Sequence, residues 1–147
     1  MPETITIDNI EYSIHKKESG DILLKPIKKV IITKPHQIFD HNFSFSKIIS
    51  CKINDNICES NKYNYILKEI YNIIDSGTKI IKHSTLNIKT TKEEDDGFYY
   101  LDNIGISVQR VDANKCIYEI VNQSIKNKIK LEINIKLQNK DYIVIMI

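Results

Sequence analysis

The chain has 147 residues, 41% of them hydrophobic and 27% charged, with a formal net charge of +2; this supports one sizeable core, hence a single domain over residues 1–147, and argues against a disordered chain. Arg110 is the only arginine among 21 basic residues, and without arginine's planar fork so small a charge makes nucleic acid an improbable partner. Cys51, Cys58 and Cys116 are odd in number and form no C-x-x-C pair, which argues for reduced thiols rather than a disulfide framework or a zinc site.

Taken in order, Met1-Pro2-Glu3-Thr4 lacks the positive start and apolar run of a signal peptide, and nowhere do 18 apolar residues run together. The expectation is a soluble chain made in the cytoplasm, with no transmembrane segment. Thr4 to Ile14 carries two alternating runs, Ile5 with Ile7 and then Ile10, Tyr12 and Ile14, split by a turn at Asp8-Asn9. A polar loop with Gly20 follows, then short strands at Ile22–Leu24 and Lys28–Thr33 around Pro26, which belongs at an edge or bend because it cannot donate to a ladder. Lys34 to Asn42 reads as a loop. Phe43 to Ile53 reads as a strand with Phe43 and Phe45 on one face, ended by Asn54-Asp55-Asn56.

Residues 60–77 form the one amphipathic helix the sequence predicts. Tyr63, Ile66, Leu67, Ile70, Ile73 and Ile74 fall on one stripe, with Ser60 placed to cap the start and Gly77 to close the end. Ile80 to Thr91 and Phe98 to Val111 read as strands joined by the acidic hairpin 92–97, whose Asp96-Gly97 is a turn signal. After a turn at 112–115, Cys116 to Val121 reads as another strand and 122–127 as a polar connection. Ile129, Leu131, Ile133, Ile135 and Leu137 then alternate without fault against polar residues. Burying such side chains is worth at most roughly 1.5 to 3 kcal/mol each. Tyr142 to Ile147 is apolar on both faces, so it is a central strand or one that a partner covers.

The sum is an α+β, predominantly β chain: nine or ten strands in curved antiparallel sheets packed on a single helix. Its helix stripe, with Leu131, Ile133 and Ile135, is a candidate apolar groove. Tyr142, Val144, Ile145 and Met146 are a candidate partner surface, and Lys25, Lys28, Lys29, Lys128 and Lys130 are candidate contacts for an anionic partner.

Chemistry-bearing patterns are few. His83-Ser84-Thr85 resembles one half of the paired H-x-T signature of two-histidine phosphoesterases, but no second copy occurs at His15, His36 or His41. His36 and His41, with Asp40 between them, could ligate a metal, but two histidines in a loop with no third fixed ligand are a weak signal, and the acidic run from Glu93 lacks the spaced oxygens of a calcium loop. No phosphate-binding or nucleophile-elbow motif is present. The sequence therefore predicts no catalytic residues, metal or cofactor.

In size, Ile and Lys richness, and the pattern of long alternating strands such as 128–137 beside the helix 60–77, the chain resembles the smallest of the OrfX proteins, which are encoded beside clostridial neurotoxin genes. The resemblance implies a fold similar to the tubular lipid-binding superfamily, in which a curved sheet wraps a helix and can hold lipid. It implies a non-enzymatic accessory role, association with a larger OrfX-type protein or another toxin-complex component, and release with that complex; the helix here is shorter than those of lipid-holding modules. Two competing readings are a small phage or toxin-system nuclease or phosphoesterase using His83 and Thr85, and a nucleic-acid-binding β-barrel with tyrosine platforms. Adjacent Tyr99 and Tyr100 point to opposite faces of a strand, which serves such a platform poorly.

Overall fold

In the computed structural model, which describes residues 4–93 and 97–147, the chain is a mixed α+β protein with eleven strands in three sheets, none of them closed into a barrel. The tip of the acidic hairpin, residues 94–96, lies outside the described residues. β1 (Thr4–Ile7), β2 (Ile10–Lys16) and β3 (Ile22–Pro26) form an antiparallel meander. Asp8 and Asn9 turn it with φ of 51° and 66°, as a two-residue hairpin turn requires. Pro26 pairs with Tyr12 on the outer strand, the edge position that its missing N–H demands.

The central sheet runs β4-β11-β10-β5-β6. β5 (Lys47–Ile53) and β6 (Asn56–Ile57) are a hairpin, and β10 (Leu131–Lys136) and β11 (Tyr142–Met146) are another. β10 contributes Leu131, Ile133 and Ile135, each at most 1% exposed. On β5 the alternation breaks at Ile49, an extra residue where the register shifts, so that Ile48, Cys51 and Ile53 all reach the core. β4 (Lys29–Ile32) pairs with β11 in parallel, which overturns the wholly antiparallel arrangement expected from sequence. Almost the whole chain separates these two strands and supplies the helices that such a crossover needs. β7 (Ile88–Lys89), β8 (Phe98–Leu101) and β9 (Ile106–Gln109) make a third, small sheet. Phe98 to Val111 is thus a hairpin rather than one strand, turned at Gly105 with φ of 77°.

The largest departure is in helix content. α1 (Tyr63–Ile74) is accompanied by α2 (Gly77–His83), α3 (Ala113–Lys126) and a 3-10 helix over Pro35–Asp40. α1 begins after Lys62 and ends on Asp75 in the left-handed region, so Ser60 and Gly77 do not cap it. Gly77 instead starts α2, where a Cβ would lie 3.0 Å from the Ile106 side chain. On α1 the buried stripe is Ile66, Leu67, Ile70 and Tyr71, while Ile73 is 43% exposed. α3 replaces the strand expected at 116–121. Asp112 accepts a hydrogen bond from Lys115 N at 2.9 Å, capping the helix, and Cys116, Ile117, Ile120 and Val121 fill one face. Phe43 is buried but Phe45 is 86% exposed with φ of 59°, so the two do not share a strand face. One apolar cluster joins β4, β5, β10, β11, α1, α3 and the small sheet; the first three strands supply none of its buried side chains.

Candidate functional site

The registers of β1 with β2 and β2 with β3 sort the meander into two unlike faces. Ile5, Ile7, Ile10, Tyr12, Ile14, Ile22, Leu24 and Pro26 lie on one, with Lys16 at its end. Thr4, Thr6, Glu11, Ser13, His15, Leu23 and Lys25 lie on the other. On the polar face Ser13 Oγ sits 2.8 Å from His15 Nε2, closing off that serine. The apolar face is open: Ile22 is 60% exposed, Ile10 47%, Ile5 and Ile7 43%, and Leu24 37%. A two-layer fold normally covers such a face, and a continuous apolar patch marks an interaction site more strongly than scattered exposed residues do. Strands about 4.8 Å apart, with up to seven residues at about 3.4 Å each, give a footprint on the order of 340 Å².

A second feature is a cleft of about 670 Å³ lined by the 3-10 helix, the 84–87 loop and α3. Ile38 and Leu86 floor it, and Phe39 and Tyr118 wall it with ring centroids 4.6 Å apart. Asn114 anchors one side: its Oδ1 accepts from Phe43 N at 2.7 Å and its Nδ2 donates to Ser44 Oγ at 3.1 Å.

Behind the cleft is a buried carboxylate. Glu119 is fully buried, and its oxygens accept from Tyr71 Oη at 2.6 Å, Ser84 Oγ at 2.9 Å, Thr85 N at 2.9 Å, Thr85 Oγ1 at 3.0 Å and Gln123 Nε2 at 3.5 Å. All five approach as donors, which suits an acceptor-only group. Burial, reinforced by the Glu119 charge, raises the Tyr71 hydroxyl far above its ordinary range. Glu119, Asn122 and Gln123 share one stripe of α3; Asn122 donates to His83 O and Gln123 to Ile80 O. This stripe of polar residues pins α2 and the following loop; the sequence reading missed it because 116–121 reads as a strand and 122–127 as a polar connection.

The structure separates most residues singled out from sequence. His83 presents its carbonyl to α3, whereas its ring makes no hydrogen bond to Thr85 or Glu119, and the Thr85 hydroxyl is already engaged by Glu119. Of the groove candidates, Ile66, Leu67, Ile70, Leu131, Ile133 and Ile135 lie in the closed core; Tyr63 and Ile74 are half-buried, and Ile73 faces outward. Tyr63 bonds Ser46 through its hydroxyl. On β11, Tyr142, Val144 and Met146 share the outer face of the central sheet, but Ile145 points inward and is fully buried. β11 lies between β4 and β10, an internal strand.

The candidate lysines do not gather into one patch. Lys25 is on the polar face of the meander, Lys29 lies beside Tyr142, and Lys28 N donates to Asp141 Oδ1. Lys130, at the opposite end of the central sheet, pairs with Asp55 at 2.8 Å, and Lys128 sits in the turn before it with φ of 55°.

Among the described residues no three His, Cys, Asp or Glu side chains converge as a metal site would need, and no helix is long and apolar enough to cross a membrane. The three thiols are free, with Cys51 and Cys58 Sγ 3.0 Å apart across the β5–β6 hairpin. No known family model, curated protein or solved structure matches the chain.

Proposed function

We propose that the chain is a non-enzymatic protein-interaction module that docks through the apolar face of its N-terminal meander onto a β-sheet of a partner, a second copy of this chain where no other is present. The observation that carries the reading is that open face of Ile5, Ile7, Ile10, Ile22 and Leu24. β-Branched and leucine side chains on a pleated surface suit a second sheet stacked about 10 Å away. Charge favours protein over an anionic bilayer, because residues 4–26 hold three lysines against four carboxylates. The footprint is small for an obligate dimer, so the contact is a transient one, with Kd on the order of 10 µM or weaker.

The resemblance to the smallest OrfX proteins supports the same class of role, with a larger OrfX-type protein taking the place of the second copy as partner and the two leaving the cell in one complex. A lipid tube is the weaker part of that resemblance here, since Ile66, Leu67, Ile70, Leu131, Ile133 and Ile135 are already closed against their neighbours.

Sedimentation equilibrium of the full chain tests the proposal. The wild type is expected to rise from 17.1 kDa toward twice that mass with concentration, and Ile10→Lys and Ile22→Lys, both at exposed sites, to stay monomeric with an unchanged circular dichroism spectrum. A wild type that stays monomeric, or folded variants that still pair, would overturn the reading.

A further inference from the structure

We infer that the cleft between the 3-10 helix and α3 is a binding site for a neutral polyhydroxylated ligand, the face of a sugar ring lying on Phe39 with its hydroxyls on Asn87 and Gln109. The cleft has the size of a small-molecule site, about 670 Å³. Phe39 is 71% exposed although it follows the buried Ile38. Its ring is held in place by Tyr118, tilted by 31° at 4.6 Å between centroids, so an aromatic surface is fixed at the rim rather than swinging free. The two rings touch each other, which leaves no slot for a planar base between them. An exposed ring offers its electron-rich face to a ligand's polarised C–H groups.

Apart from Lys115 and His41, the polar residues that line the cleft are uncharged, chiefly carboxamides. Asn87 immediately precedes β7, and Gln109 ends β9; Gln109 N donates to Asn87 O at 3.0 Å, so the ladder holds the two residues together. Both residues line the cleft, and neither side chain is engaged in a hydrogen bond among the described residues. A carboxamide both donates and accepts, as a sugar hydroxyl does. An anionic ligand is disfavoured: although Lys115 and His41 reach the cleft, the Asp112 carboxylate already occupies the N-terminus of α3, where an anion would otherwise bind.

NMR of the 15N-labelled full chain tests the assignment, with maltotriose, cellotriose and chitotriose as probes and ATP as the anionic comparison. At least one saccharide is expected to shift the Asn87 and Gln109 side-chain amide signals saturably. Phe39→Ala, at an exposed position, is expected to weaken that binding at least tenfold while leaving the rest of the spectrum in place. The assignment is overturned if none of the three saccharides moves those signals, if the shifts fall elsewhere, if Phe39→Ala binds as well as the wild type, or if ATP binds there more tightly than the sugars.

Discussion

Glu119 offers the most exacting test of the packing described above. Its side chain joins α3 to α1 through Tyr71 and to the 84–87 loop through Ser84 and Thr85. Thr85 is exposed, so water can replace the carboxylate there. Tyr71 is fully buried, so its hydroxyl would be stranded. A hydrogen bond to a charged group contributes about 1.5 to 3 kcal/mol, and that is the expected cost of Tyr71→Phe. Glu119→Ala leaves the tyrosine unpaired and opens a cavity, at about 3 to 5 kcal/mol, a large part of the ~5–15 kcal/mol typical of a domain.

Because the two residues share one bond, the double variant should cost less than the sum of the singles, with a coupling of about 1.5 kcal/mol or more. Urea unfolding followed by circular dichroism gives all four values. Additive costs, with coupling under about 0.5 kcal/mol, would refute the claim that Tyr71 depends on Glu119.

Other consequences are accessible to simple assays. Oxidised glutathione should convert Cys51 and Cys58 to a disulfide with release of two reduced glutathiones, leaving Cys116 as the one titratable thiol and stabilising the β5–β6 hairpin by about 2 kcal/mol; three thiols remaining after prolonged oxidation would contradict the pairing. Burial pushes both the Cys116 thiol and the Tyr63 hydroxyl up to about 12, from 9.0 and 10.0. The folded state therefore holds these protons more tightly than the unfolded state, so their contribution is complete below 9.0 and is lost as pH rises toward about 12. Unfolding free energy should fall by up to ~1.4 kcal/mol per pH unit per group in that window, and a stability flat from pH 9 to 11 would refute it. Asn114→Ala should cost about 1 to 2 kcal/mol and speed hydrogen exchange at Phe43 N, the amide it accepts from; unchanged exchange there would show the latch to be idle.

The strands most legible in sequence were those with one wet and one dry face. Leu131, Ile133 and Ile135 lie inward as their alternation requires, and Asp8-Asn9 and Asn54-Asp55 turn as their side chains allow. α3 was hidden because Cys116-Ile117-Tyr118 and Ile120-Val121 are dense in β-forming residues, while its buried stripe includes Glu119, Gln123 and Ser124. Polar residues buried only because they find partners on α2 and α1 carry no periodic apolar signal. The Asp112 cap and the spacing of 116, 117, 120 and 121 were the available clues. The parallel β4–β11 pair and the cleft arise from segments far apart in the chain, and local pattern does not encode them. The open face of the meander was half legible: the runs Ile5, Ile7 and Ile10, Tyr12, Ile14 are in the sequence, but that nothing covers them is a property of the fold.

The most direct test of the interaction surface is an isotope-filtered NMR spectrum of the full chain, mixing 13C-methyl-labelled and unlabelled copies at millimolar concentration, where a transient contact of this size is populated. Intermolecular contacts are expected from the methyls of Ile5, Ile7, Ile10, Ile22 and Leu24 and from no other part of the molecule. The absence of intermolecular contacts, or contacts arising instead from Ile31 and Met146 on the outer face of the central sheet, would contradict that expectation.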